Sequence, residues 1–118
     1  MKIVKMSDIP KESYIHPIFT GPNVTRQILL PESKEFNMVT VNFGKGVRNK
    51  LHTHDSDQVL IITAGKGFVA TEKEEKVVTV GDIVLFRAGE KHWHGATDDS
   101  EFSHIYVTRA GVETKIVE

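Results

Sequence analysis

The chain contains no cysteine, only four prolines and one tryptophan, and no apolar run close to the eighteen or so residues that span a bilayer. Without cysteine there is no disulfide framework and no thiolate metal ligand, which suits a reducing compartment. An excess of either charge is missing too: 15 Lys and Arg stand against 16 Asp and Glu, and the basic residues are scattered rather than gathered into a nucleic-acid footprint. The N-terminus lacks the basic-then-apolar pattern of a secretory leader. The expectation is a soluble cytoplasmic protein with neither nucleic acid nor membrane as partner.

Helical periodicity is lacking as well. Short runs rich in β-branched and aromatic residues, separated by turn clusters every eight to twelve residues, predict strands at 27–30, 37–43, 58–64, 68–71, 77–80, 83–86 and 102–107. This pattern belongs to an all-β sandwich or barrel. At 118 residues the chain reads as one domain, with an irregular proline-bearing segment over 1–22, a barrel over 23–110 and a tail over 111–118. The run Glu72-Lys73-Glu74-Glu75-Lys76 reads as a solvated hairpin tip and Gly65-Lys66-Gly67 as a tight turn. Ile83-Val84-Leu85-Phe86 reads as a fully buried strand.

What the chain does have is histidine in pairs. Four of its six histidines form His52-Thr53-His54 and His92-Trp93-His94. In a strand, residues i and i+2 project from one face roughly 6.6 Å apart, so two imidazoles can converge on one cation at about 2.1 Å per bond. Asp55-Ser56-Asp57 should reverse the chain after the first pair, which turns Gln58 back toward the histidines. Imidazole suits zinc, copper, iron, nickel and manganese, so these residues propose a divalent site without selecting the ion.

Gly46, His52, His54, Gln58 and Gly65, followed by Gly81, Gly89 and His92, resemble the paired motifs of the cupin superfamily over residues 46 to 96. The resemblance implies a double-stranded β-helix, or jelly-roll barrel, holding one divalent metal through His52, His54, Gln58 and His92. Three positions depart from the usual pattern: Gln58 replaces Glu, Arg87 replaces Pro and Ala96 replaces Asn. Gln58 reads either as a ligand or as a hydrogen-bond partner behind the ligands. As a ligand it adds no negative charge, so the site stays near +2, a stronger Lewis acid and a better seat for an anion.

The stretch Lys91-His92-Trp93-His94-Gly95-Ala96-Thr97 narrows the likeness to small cupins of the carboxymuconolactone-decarboxylase-associated group and to manganese-dependent cupin hydroxynitrile lyases. That likeness favours manganese over iron, nickel or zinc. It places His94 as a proton carrier of near-neutral pKa, with a hydrogen-bonding role at the rim as the alternative. His104 is either a second catalytic group at the pocket or a buried structural histidine. Phe68, Phe86 and Trp93 read as core or pocket wall, and His16 as surface.

Shared ligands do not fix a reaction. The expected function is metal-dependent lyase, isomerase or decarboxylase-like chemistry on a small polar or anionic molecule. A metal-dependent dioxygenase and a non-enzymatic binding or sensing domain are the alternatives, and a homodimer is the expected assembly.

Overall fold

The computed structural model describes residues 1–118. Ten strands account for nearly all regular structure: β1 (Glu12–Ser13), β2 (Val24–Ile28), β3 (Phe36–Phe43), β4 (His52–His54), β5 (Gln58–Thr71), β6 (Glu75–Thr79), β7 (Ile83–Phe86), β8 (His92–Ala96), β9 (Phe102–Arg109) and β10 (Thr114–Ile116). The one helical element is a 3-10 turn at Met6–Asp8. No helix is long and apolar enough to cross a membrane. All pairings between strands are antiparallel, and the hydrogen-bonded path runs β1-β2-β3-β9-β5-β8-β4-β10, with β6 and β7 also paired to β5. The expected all-β curled barrel is what forms.

β5 differs from expectation. Instead of two strands broken by a turn at Gly65-Lys66-Gly67, one 14-residue strand serves both halves of the barrel. Its first half lies between β7 and β9, and its second half lies between β6 and β8. The register slips between Ile62 and Ala64, and Gly65 has φ +72°. A Cβ there would lie 1.8 Å from the Glu101 carbonyl oxygen, so the glycines signal a bend with close backbone approach rather than a chain reversal. Strands also reach outside the predicted barrel limits: β1 pairs with β2, and β10, in the segment read as a tail, pairs with β4. Glu75 and Lys76 belong to β6, which shortens the predicted hairpin tip.

Residues directly opposite each other in an antiparallel pair share a face. Leu60, Tyr106, Val39 and Val84 therefore point together into the barrel, where Phe43, Leu60, Ile62 and Phe102 are almost wholly buried. Each such side chain contributes about 2–3 kcal/mol of transfer free energy. The outer face of the same strands is also apolar. Leu85, Val59, Val107 and Met38 form one row, and Ile83, Ile61, Ile105 and Thr40 the next. The four-residue run of β7 is thus not fully buried: Ile83 is 71% exposed and Leu85 49%, because alternation turns them to that outer face.

Candidate metal centre

His52, His54 and His92 come together inside the barrel, all buried. β4 and β8 meet at a single opposed pair, His52 with His92, which places their ring centroids 4.3 Å apart. His54 joins from two residues along β4, with centroids 4.8 Å from His52 and 5.1 Å from His92. Their candidate ligand atoms lie within 4.8 Å of one another. An ion with bonds of about 2.1 Å draws donors to within about 4.2 Å of each other, so small ring rotations suffice to close the set.

Each ring is oriented by its Nδ1. His52 Nδ1–H donates to the Lys50 carbonyl at 2.6 Å and His92 Nδ1–H to the Glu90 carbonyl at 2.8 Å. A carbonyl only accepts, so the proton of each neutral ring sits on Nδ1 and the Nε2 lone pair faces inward. His54 Nδ1 meets the Thr114 hydroxyl of β10 at 2.8 Å, and its buried Nε2 has no partner. Gln58, at the head of β5, is buried with Oε1 3.2 Å from His92 Nε2. Both of those atoms carry lone pairs.

Burial disfavours the charged imidazolium throughout. It lowers His52, pulls His54 down to about 4 with help from neighbouring His52, and pulls His92 to about 3. The rings are therefore neutral at physiological pH, the state a metal ligand requires. An orphaned buried Nε2, two tautomers locked for inward lone pairs and an amide oxygen turned to the same centre all fit a divalent cation.

Behind this cluster lies the second pair. His94 shares the face of His92 two residues away, and the His104 ring of β9 stands against it edge-on at 4.8 Å. Both are buried, and neither ring nitrogen of His104 has a partner. The near-neutral pKa expected for His94 is not what the structure gives. Desolvation drives it well below the ordinary value, reinforced by His104, and burial takes His104 to about 3. Phe86 stacks on His92 at 4.0 Å as part of the buried core, as expected, while Trp93 lies under the Arg48 guanidinium.

Asn49 is a residue that the sequence reading missed. Its Oδ1 accepts the His94 backbone N–H at 2.8 Å and its own N–H donates to the His94 carbonyl at 2.9 Å, which ties the segment before β4 to β8. Gly95 makes that crossing possible, since a Cβ there would sit 2.3 Å from Arg48 Cα. A lone polar residue between Arg48 and Lys50 carries no pattern that would have flagged it.

The pocket over these groups encloses about 130 Å³. Val41, Phe43, Tyr106 and Thr108 line it from the barrel, Tyr14, His16 and Phe19 from the N-terminal segment, and Val112 and Thr114 from the other end of the chain. His16, solvent-exposed as expected, is nevertheless at the rim. Burial and nearby Tyr14 push the Tyr106 hydroxyl up to about 12, so it enters as a neutral hydrogen-bonding group.

A profile of the cupin domain matches residues 39–108, more than half of the chain and all four of the residues around the centre. The chain is a cupin. This cupin is 41% identical over 69 residues to the (R)-mandelonitrile lyase of Granulicella tundricola, a match covering 58% of the chain and 53% of the lyase. It is 33% identical over 55 residues to the HTH-type transcriptional activator RhaR of Mannheimia succiniciproducens, covering 47% of the chain and 20% of the activator. The matched stretch thus spans about half the length of the first relative and a fifth of the second. Among solved structures, a cupin-like protein from Thermotoga maritima superposes with TM-score 0.81 at 26% identity, covering 99% of the chain and 89% of that protein.

Proposed function

We propose that this cupin binds one divalent metal ion through His52, His54, Gln58 and His92, and is an enzyme of lyase, isomerase or decarboxylase type acting on a small polar or anionic molecule. The observation that carries the reading is the inward convergence of three neutral imidazoles whose Nδ1 atoms are engaged elsewhere. The facing lone pairs of His92 Nε2 and Gln58 Oε1 support Gln58 as the fourth ligand, because two acceptors at 3.2 Å repel unless a cation or proton lies between them. Manganese is favoured by the likeness to manganese-dependent cupin hydroxynitrile lyases. A cation there supplies Lewis-acid stabilisation of negative charge developing on a substrate oxygen or nitrogen.

The chain's own groups supply the rest. His94 and His104 are both held neutral by burial: His104 offers one lone pair and one N–H to a substrate in the pocket, while His94 does so beside the Asn49 amide, whose N–H reaches its ring at 3.3 Å. Such a ring is a weak base in the empty pocket, and a negative charge developing opposite strengthens it. His104, with both nitrogens unpartnered, is free to hydrogen-bond substrate, and Asn49 holds the backbone of His94 in place. The walls from Val41, Phe43 and Phe19 exclude water from that exchange.

A sensing domain is the second reading, favoured by the match to a transcriptional activator. Elemental analysis of protein purified without chelator, followed by assay of the loaded protein with mandelonitrile, separates the readings. About one ion per chain with cleavage supports the enzyme. One ion with ligand binding but no turnover across cyanohydrins and keto-enol acids moves the assignment to a sensor, and no ion after reconstitution overturns the metal reading and leaves a metal-free binding domain. We further propose that two copies pair through the exposed part of the outer apolar rows, led by Ile83 and Leu85, where no position bears a charge, which suits self-complementary packing.

A further inference from the structure

The three imidazoles are not held alike. His52 and His92 each donate to the main-chain carbonyl two residues earlier in their own segment, an acceptor that every residue type provides. His54 leans instead on a side chain sixty residues away, the Thr114 hydroxyl. β4 is three residues long and meets β8 at one opposed pair, so its remaining support comes from β10, where Thr114 opposes His54 and Ile116 opposes His52.

β10 is fastened to the segment around β4 at both ends. Asp55 N–H donates to the Glu113 carbonyl at 3.2 Å, and Glu113 N–H returns a bond to Asp55 Oδ1 at 2.8 Å. At the far end Val117 N–H donates to the Leu51 carbonyl at 2.9 Å. The Glu118 carboxylate accepts from Leu51 N–H at 2.9 Å and from Arg48 Nη2 at 3.1 and 3.2 Å. Register between β4 and β10 is therefore fixed, and a one-residue slip would turn the Thr114 hydroxyl to the opposite face from His54.

From this asymmetry we infer that Thr114 is the positioning residue of the metal centre: its hydroxyl, bonded to His54 Nδ1 at 2.8 Å, fixes the ring with Nε2 aimed inward, and β10 is the clamp that presents it. The inference rests on the metal reading of the site for its effect on affinity, though not for its effect on the ring. Without the hydroxyl the His54 ring is free to turn about its side-chain bonds, and the site falls to two preset imidazoles and Gln58. Groups that orient metal-bound histidines are typically worth about 10- to 100-fold in affinity.

The test uses Thr114→Val, which keeps shape and β-branching while removing the acceptor, and Thr114→Ser, which restores it. Thr114 is exposed as a residue, so the valine variant should keep its fold, checked by circular dichroism. Competition between each protein and a chromophoric chelator for Mn(II) should show affinity reduced about 10- to 100-fold in the valine variant and within about threefold of the parent in the serine variant. Independently, crystal structures of the metal-free proteins should show His54 Nε2 aimed inward in the parent and the serine variant and turned away in the valine variant. Equal ring orientation in parent and valine variant would overturn the inference whatever the metal result. A turned ring in the valine variant of a parent that binds no ion would sustain the positioning role and sink the metal reading alone.

Discussion

Acid should unfold the metal-free protein through its buried histidines before its carboxylates are touched. His54 is held at about 4, and His92 and His104 at about 3, against an ordinary value of 6.5 in the unfolded chain. Between those values the unfolded chain binds more protons than the native one, so stability rises with pH and is lost as pH falls below about 6.5. From pH 7 to pH 5 each of the three forfeits about 1.9 kcal/mol, since the unfolded imidazole becomes protonated while the native one stays neutral. Three together lose about 6 kcal/mol, comparable with the whole stability of a small domain.

The lowered carboxylates do not confuse this window. Asp55, bonded by the Glu113 amide, and Asp99, bonded by the Thr97 hydroxyl, sit below an ordinary value of 3.8 and act only under pH 5. Urea unfolding followed by circular dichroism at pH 7, 6 and 5, on chelator-treated protein, measures the slope. His104→Phe provides the control. It puts an apolar ring between Phe43 and Phe102, each 5.7 Å from the present imidazole, and should remove about a quarter of the pH dependence or less, because His94 is lowered as well. Unfolding free energies that stay level from pH 7 to pH 5 would refute the reasoning, and so would an unchanged slope in His104→Phe.

Gln58→Glu adds one negative charge to the centre, so calorimetry should record tighter metal binding and weaker affinity for a small anion such as cyanide; no change in either would remove Gln58 from the ligand set. His94→Ala should keep about one ion per chain while lowering any turnover roughly a hundredfold or more, the scale of a lost general base, and loss of the ion would instead make His94 a ligand. Ile83→Lys places a charge at the most exposed point of the outer apolar rows. Light scattering should then report a monomer where the parent is a dimer, and a monomeric parent would end the pairing proposal.

The convergence of His52, His54, His92 and Gln58 was legible because its information is local. His-X-His on a strand needs only two-residue alternation, and Gln58 needs only the reversal at Asp55 to Asp57 to face the same centre. β3, β7 and β9 were legible for the same reason, through continuous β-branched and aromatic runs. The long β5 was not, because a glycine pair looks the same in sequence whether it reverses a chain or lets a strand bend beneath a neighbouring carbonyl. β7 read as buried on both faces because an apolar run does not say whether its outer side is covered by the same chain. Thr114 and Asn49 were invisible altogether. Each acts through a partner 60 or 45 residues away, and a three-residue strand such as β10 is too short to show any period.

One strand common to both halves of the barrel has a bearing on how the molecule comes apart. β5 is hydrogen-bonded to β9 and β7 along its first part and to β8 and β6 along its second, so neither half can open without exposing amides of the same strand. Unfolding should therefore be a single cooperative event, with the amides of Leu60, Ile62 and Val69 exchanging their hydrogens last and at one common rate. During synthesis the same arrangement would delay assembly of the proposed metal site. His52 and His54 emerge forty residues before His92, and the strand that spaces them has no complete set of neighbours until β9 has followed.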